Sequence, residues 1–583
     1  MASLDAAGVA ELLIEIGRRL ELAGENPYRA KAYMKAAQGL MGLTTPLSEV
    51  IAKGRLRDVP GIGEALAAKI RTLHDSGSDP ALDAMRKEIP SSVLEMLRVP
   101  GLRSQNVLKL YRDLGITSLK ELEEACTRDV LKGRKGFGPA LQTKVVQGLD
   151  MMRRGEGHRL LHRATELLES AASNLERSRP ELRRIELAGD VRRGCEVVAD
   201  LALVAEMARV NPGDRVLQLN AEIKLRVAEP AGYGVALLFA TGSPGHVRTL
   251  QAYAAAKGFV LDESGLRKGS RRVACKNESD VYKALGLPFI PPELREERGE
   301  IELAAAGRLP HLVEASDIAG LVHCHTDASD GTNTLQQMVE ATRKRGYAYF
   351  GVADHSRSAG YAGGLGLDEI DAQHAFADKL NRTYGDSFRI FKGIESDILE
   401  DGSLDYPEEV LARFDYVVAS VHSRFRLDKR TQTARIIRAV AHPRTTILGH
   451  MTGRMLLRRP GYEVDVEAIL KACAAHGVAV EINANPHRLD LDWRWHQRAL
   501  ELGCLMSINP DAHSIAELDL MRWGLLMARK GGVPKERVLN TLGLDQIAAH
   551  FSARKGRAGP EPSTGTKPRV AFASRPSGRR NAR

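Results

Sequence analysis

From residue 319 onward the chain repeats one rhythm: a short apolar run, a helical stretch, then another apolar run. Seven runs read as strands: GLVHCHT (320–326), AYFGVADH (348–355), FRIFKGIES (388–396), FDYVVASVH (414–422), TTILGH (445–450), VAVEINA (478–484) and CLMSINPDAH (504–513). Short, nearly continuous apolar runs suit strands buried on both faces. The helical stretches between them, such as 334–346 and 464–477, are long enough to return the chain for parallel pairing. Parallel strands with helical crossovers of one hand close into a barrel, here a seven-stranded variant of the eight-stranded form.

Six of these runs end in a His, Asp or Glu of the type that can bind metal. The set is His323, His325, Asp330, His355, Glu395, His422, His450, Asp511 and His513. In a barrel the C-terminal strand ends meet at one mouth, so residues far apart in sequence become neighbours. His323 and His325 alternate on an extended strand and should point the same way, as should Asp511 and His513. A single histidine at a strand end is usually structural; nine ligand-type residues converging predict a metal centre. Mixed imidazole and carboxylate donors favour about three divalent ions of the Mn²⁺, Zn²⁺ or Fe²⁺ kind over Mg²⁺ alone. Such ions activate water and stabilise a departing oxyanion, with Glu395 placed to bridge them. His323, His325, Glu395, Asp511 and His513 are the candidate catalytic residues, and no Ser or Cys triad stands beside them. Arg357, Arg424, Arg454 and Arg488 closely follow ligand segments, as phosphate clamps or as ordinary surface arginines.

The first 150 residues are different in kind. Amphipathic helices dominate, the second carrying Tyr28, Ala32, Ala36 and Leu40 at helical spacing. Three related glycine turns, in DVPGIGEALAAKI (58–70), RVPGLRSQNVLKLYRDLG (98–115) and KGFGPALQTKVVQGL (135–149), recur at about 38-residue spacing, each opening a helix. Gly61, Gly63, Gly101, Gly136 and Gly138 leave amides free at helix N-termini, which suits phosphate oxygens; Arg103 replaces one glycine of the pattern. Helix-packing turns without a ligand are the competing reading.

The formal net charge of +10 belongs mostly to one end. Residues 554–583 hold nine Lys/Arg against one acid among Pro, Gly and Ser, and are expected to be disordered. Such a tail can hold a polyanion non-specifically or merely solubilise the chain. The six cysteines are scattered, with no CxxC, which argues against a disulfide framework or thiolate zinc knuckles. No signal-peptide pattern and no 18-residue apolar run is present, so no membrane association is expected.

Four sets of motifs carry a family resemblance. The glycine turns with ENPYRAKAYMKAA (25–37) resemble the N-terminal helix-hairpin-helix domain of family X DNA polymerases. The resemblance gives Lys69 the position of the family's Schiff-base lyase, with a phosphate-contacting or solvated lysine as the alternative. ELAGDVRRGCEVVADLALVAE (186–206) is similar to the family's nucleotidyltransferase palm signature, whose chemistry needs three carboxylates around two Mg²⁺. Arg192, Arg193, Gly194 and Asp200 match it, but Asp190 stands for the family's serine, Ala202 for the second carboxylate and Lys224 for the third. A cation there repels Mg²⁺, so Mg²⁺ at the palm is not expected. A slipped alignment, with Glu206 or Glu222 as substitute, is the counter-reading. TGSPGH (241–246) and LGLPFIPPELREERGEIELA (285–304) resemble the family's thumb. HCHTDASDG, ADHS, GIES, SVHS, GHMTGR, EINANPHRLDL and DAHS resemble the polymerase-and-histidinol-phosphatase (PHP) domain nearly end to end, with all nine ligand positions filled and Pro510 as one departure.

The resemblance to bacterial family X polymerases spans about 8–545 and implies a multidomain chain. The expected parts are an all-α helix-hairpin-helix domain (1–150), a connecting helix and α/β palm (151–245), a thumb (246–303), a linker (304–318), a (β/α)7 PHP barrel (319–550) and a basic tail (551–583). It implies a cytoplasmic, nucleoid-associated monomer in DNA repair. Its substrate would be gapped, nicked or 3′-ended DNA, its activity 3′–5′ exonuclease with AP-endonuclease or 3′-phosphatase action open, and its polymerase lost or impaired. Retained gap-filling polymerase, a histidinol-phosphatase-like phosphatase and a non-enzymatic scaffold are the alternatives.

Overall fold

A computed structural model of the chain describes residues 4–25, 27–41, 47–59, 61–99, 102–132, 137, 139–155, 157–211, 215–219 and 222–555. Gly101, Gly136, Gly138 and the expected tail from 556 lie outside the described residues. The chain divides into two compact units, Met1–Arg159 with Met455–Pro460, and Leu160–Arg454 with Gly461–Arg583.

The first unit is helical. Ala6–Ala23 starts where the Asp5 carboxylate accepts from the Gly8 amide (2.8 Å) and stops at Gly24, whose φ of 74° ends the helix. Pro27–Met41 packs in the same core through Tyr33, Ala36, Ala37 and Leu40. The face expected from Tyr28 is therefore corrected: Tyr28 is 81% exposed, because the buried stripe begins at Ala30 and Tyr33 instead. The first two glycine turns share one geometry. The Ile62 amide donates to the Val59 carbonyl and the Leu102 amide to the Val99 carbonyl, both at 3.1 Å. Ile62, Leu102 and Phe137, equivalent in the repeat, are all buried, so each turn is pinned by one apolar residue.

The second unit opens with a four-stranded sheet of β1 (Arg183–Leu187), β2 (Leu201–Glu206), β3 (Val216–Gln218) and β4 (Ile223–Ala228), in the order β1-β2-β4-β3. β2 and β4 run parallel, with Ala202 opposite Lys224. A meander of β5 (Phe259–Asp262), β6 (Gly265–Lys268) and β7 (Arg271–Val273) follows. It shares a core that includes Leu250, Leu261, Val281, Tyr282 and Ile290.

The barrel comes last: β8 (Gly320–Cys324), β9 (Tyr349–Val352), β10 (Arg389–Asp397), β11 (Tyr416–Ser420), β12 (Thr445–Leu448), β13 (Ala479–Asn483) and β14 (Met506–Asn509). All seven are parallel neighbours in chain order. A bridge between Cys324 and Ala512, where the His325 amide donates to the Ala512 carbonyl (2.8 Å), nearly closes the ring. Inside, the Tyr416 ring stacks on Phe551 (centroids 5.0 Å apart). The Tyr416 hydroxyl donates to the Val352 carbonyl (3.0 Å) and accepts from the His323 amide (3.2 Å). Only glycine fits at 393, since a Cβ there would lie 2.3 Å from the Tyr416 ring.

Phe551 also corrects the tail boundary. Leu544–Lys555 is a helix whose Phe551 fills the barrel floor and whose Arg554 donates to the carbonyls of Thr445, His476 and Gly477. Basic composition concealed this anchor, and residues 551–555 belong to the barrel. The polymerase-like body and the barrel also join within this unit. Glu196 accepts from Trp493 Nε1 (2.9 Å) and Arg494 (2.7 Å), and Lys530 Nζ donates to Glu296 (2.5 Å) and the Arg193 carbonyl (3.0 Å). Among the described residues no helix is long and apolar enough to cross a membrane.

Candidate active sites

The nine ligand-type residues of the barrel gather around Glu395, which is 1% exposed at the end of β10. Five imidazoles face its carboxylate: His355 Nδ1 and His450 Nε2 at 3.0 Å, His323 Nε2 and His422 Nε2 at 3.3 Å, and His325 Nε2 at 3.6 Å. Asp511 lies 3.2 Å from His325 and 3.7 Å from His323. Asp330 lies 3.2 Å from His513 and 3.6 Å from His355. Asp330 and His513 are the more exposed members and form the open side. Three overlapping groups have the spacing of a cation's ligands: His325, Asp330, His355 and His513; His323, His325 and Asp511; and His355, Glu395 and His422.

One expectation about local geometry fails. His323 is not on a regular strand, because its φ is +59° and the β8–β9 register shifts between Leu321 and Cys324. Asp511, at φ +51°, lies beyond the end of β14. A left-handed residue re-aims its own side chain, and non-glycine residues hold that conformation only where the surroundings enforce it. The His323 and His325 rings still meet, 5.4 Å apart, but by a bulge rather than by alternation.

The electrostatics are those of a cation site. Burial alone would push Glu395 up, but His422, His323 and His355 outweigh it and hold its carboxyl well below the usual range. Asp511 is likewise held well below its usual value, against burial, by His323, His325 and His513. In return, and against burial, His355 is pushed up to about 10, and His422 and His513 to about 9. Burial and the neighbouring His513 depress His325 to about 4. His325 is fully buried, and neither of its ring nitrogens makes an aligned hydrogen bond; they face carboxylate oxygens at 3.2 and 3.9 Å. Unpartnered buried nitrogens aimed at carboxylates fit divalent cations, which would take the place of the protons.

Sequence reasoning missed the residues behind these ligands. Glu481 accepts from His323 Nδ1 (2.5 Å), the His450 amide (3.2 Å), and the Asn483 and Asn509 side chains (both 2.8 Å). Asp397 lies 2.6 Å from His422 Nδ1. Asp354 accepts from the Thr326 amide and hydroxyl and from Gln373 (all 2.7 Å). A signal was available, since an acid inside an apolar strand, as in AVEIN, has to be paired. Of the clamp candidates, Arg454 is occupied by Asp492 (2.8 Å) and the Arg488 and Leu489 carbonyls, and Arg424 pairs with Glu400 (3.0 Å). Arg357 and Arg488 have no ion pair among the described residues.

At the palm, Asp200 precedes β2 and Lys224 Nζ sits 3.6 Å from its carboxylate. Ala202 is buried opposite Lys224. Asp190 Oδ2 accepts the Ala199 and Asp200 amides (both 2.9 Å), and its other oxygen accepts from Arg193. Arg193 also donates to Glu296 (2.9 Å) and the Thr241 carbonyl (2.6 Å). Gly189 is required beside them, because at φ +63° a Cβ would come 2.8 Å from the Asp200 carbonyl oxygen. Glu206 is six residues along from Asp200, about 20 Å at strand rise, and lies 3.5 Å from Arg184. Glu222 lies just outside β4.

In the hairpin unit, no side chain caps the Glu64–Ser76 helix at Gly63, and the space beside Gly63 is open. The equivalent Ser104–Leu114 helix is uncapped at Arg103 as well. Gly61 has a φ of +87°. Lys69 Nζ lies 2.6 Å from Asp79.

A helical module, a palm and thumb, and a parallel barrel lined with imidazoles and carboxylates define a class: a polymerase-like body carrying a barrel built to hold metal ions. Family models match at 6–79 (helix-hairpin-helix domain), 236–296 (DNA polymerase beta thumb) and 322–485 (PHP domain). The chain is 32% identical over 566 residues to the DNA polymerase/3′-5′ exonuclease PolX of Bacillus subtilis, covering 93% of this chain and 98% of that protein. It belongs to the bacterial PolX family of family X DNA polymerases. Its helix-hairpin-helix and thumb regions indicate DNA binding, and its PHP domain metal dependence. Probable phosphatases of Caldanaerobacter subterraneus (25% identity, 41% of this chain, 92% of theirs) and Thermoanaerobacter pseudethanolicus (26%, 41% and 96%) are also similar.

Proposed function

We propose that this PolX homologue works mainly as a metal-dependent 3′–5′ exonuclease through its barrel, and that its palm no longer transfers nucleotides. The observation that carries the reading is the contrast between two carboxylate sites. In the barrel, Glu395 is ringed by five imidazoles. In the palm, Asp200 has Lys224 beside it and Ala202 where a second carboxylate is needed.

His323, His325, Asp330, His355, Glu395, His422, His450, Asp511 and His513 would hold about three divalent ions of the Mn²⁺, Zn²⁺ or Fe²⁺ type. Bound there, the ions supply an activated water and charge stabilisation for phosphoester hydrolysis. The chain's own contribution is orientation. Glu481 and Asp397 fix which nitrogen His323 and His422 present, and buried Glu395 holds the centre together. Arg357 and Arg488 are the clamp arginines left to receive a phosphate. The glycine-turn helices of residues 1–150 grip gapped, nicked or 3′-ended DNA through their amides, and residues 556–583 add a salt-sensitive arm. Lys69, held by Asp79, serves as a positioned cation rather than as a Schiff-base nucleophile.

Full-length protein with Mn²⁺ and a labelled duplex tests this. Degradation from the 3′ end should be lost in His323→Ala/Asp511→Ala. Template-directed primer extension that Asp200→Ala abolishes would overturn the palm reading. A second reading, small-molecule phosphatase action, draws on the two relatives named probable phosphatases, which align to about the barrel's length. Phosphate release from small monoesters without DNA degradation would favour it.

A further inference from the structure

Tyr361 stands at the rim of the barrel cluster with 72% of its surface exposed. Tyr349, Tyr406 and Tyr416, by contrast, are buried in the barrel core. Its ring centroid is 6.2 Å from that of His355 and 6.4 Å from that of His422.

The loop that carries it is firmly built. Ala359 and Ala362, on either side, are buried. The Leu365 amide donates to the His355 carbonyl (2.9 Å), and the Tyr406 hydroxyl donates to the Leu365 carbonyl (2.6 Å) while accepting from the Arg357 amide (3.1 Å). Gly364 is pressed so close to Ser356 that a Cβ would lie 1.9 Å from the Ser356 carbonyl oxygen. The chain thus goes to some length to hold an aromatic face in water beside its candidate active centre. That ring is not holding the fold together, since the loop is fixed by its backbone and by its buried neighbours.

The geometry points to Tyr361 as a stacking platform for an unpaired nucleobase of the strand whose phosphodiester lies at the Glu395 cluster. A π-face accepts any base, which suits an exonuclease that must read every sequence. A phosphate at the histidines leaves the attached nucleoside within reach of a ring 6 Å away. Arg357 belongs to the same loop as Tyr361. An exposed aromatic plate beside a cluster of metal-ligand side chains matches a nucleotide, with the base on the ring and the phosphate at the cluster. The inference rests on the nuclease reading of the barrel.

The test uses full-length protein, Mn²⁺ and single-stranded oligonucleotides ending at the 3′ side in an ordinary nucleotide or in an abasic tetrahydrofuran residue. For the parent, KM should be about tenfold lower for the base-bearing end. Tyr361→Ala should raise that KM about tenfold, leave kcat and the abasic substrate unchanged, and so erase the difference; Tyr361→Phe and Tyr361→Trp should restore it. Binding gives a second readout. A 3′-terminal 2-aminopurine should lose fluorescence on the parent and on Tyr361→Phe but not on Tyr361→Ala. An unchanged KM ratio and unchanged quenching in Tyr361→Ala overturn the platform while the nuclease stands. Tyr361-dependent quenching with no nucleotide release sinks the nuclease reading and leaves the base subsite standing.

Discussion

Replacing Glu481 by glutamine would test whether the barrel's ligands depend on the layer behind them. The side chain is fully buried. Oε2 receives His323 Nδ1 and Asn509 Nδ2, and Oε1 receives the His450 amide and Asn483 Nδ2. Glutamine keeps the shape but makes one end an NH2 group. Whichever end that is, two donors lose their acceptor. At about 1–3 kcal/mol for each buried donor left unpaired, Glu481→Gln should cost about 2–6 kcal/mol of stability. The loss of orientation at His323 should also weaken Mn²⁺ binding about 10–100-fold. Urea unfolding followed by circular dichroism measures the first quantity, and isothermal titration of the folded protein with Mn²⁺ the second. A variant within about 1 kcal/mol and twofold of the parent on both would refute the claim that Glu481 orients His323.

Three further outcomes follow from the same structure. Glu278 is held below its usual value of 4.5 because Arg295 and Arg192 outweigh burial. A depressed carboxyl stabilises the fold above its unfolded value and loses that contribution as pH falls through the folded one. Glu278→Gln should therefore lower stability at pH 7 by about 3–5 kcal/mol and flatten its fall below about pH 4.5 in pH-resolved melting curves. Truncation after Lys555 should weaken DNA binding mainly at low salt, whereas truncation after His550 should also cost about 3–5 kcal/mol by removing Phe551; filter binding and thermal unfolding separate the two. Ala202→Asp together with Lys224→Asp should create Mg²⁺ binding at the palm at least about tenfold tighter than either single change, read by titration with the barrel ligands removed.

Much of the barrel was legible because its strands are buried on both faces: every residue of β8, β9, β11, β12, β13 and β14 is buried, so apolar runs mark them directly. The gathering of the nine candidate ligands was legible because parallel topology sends every strand end to one mouth. The backbone conformations of His323 and Asp511 were not, since nothing in HCH or DAH announces a left-handed residue enforced by tertiary packing. Glu481 and Asp397 were passed over for another reason: their meaning lies in which imidazole they face, and that is set by strand register. Phe551 and Arg554 were lost in a basic window, because a composition average hides one ring filling a barrel floor.

The joint between body and barrel couples the palm to the metal-ligand cluster through a few buried polar side chains. Glu196 with Trp493 and Arg494, and Glu296 with Arg193 and Lys530, tie the palm's RRG loop directly to the barrel wall. Arg193 cannot swing toward an incoming triphosphate without abandoning Glu296, nor can the barrel pivot without stranding the buried ammonium of Lys530. The Asp200 site and the Glu395 cluster therefore ride on one shared frame.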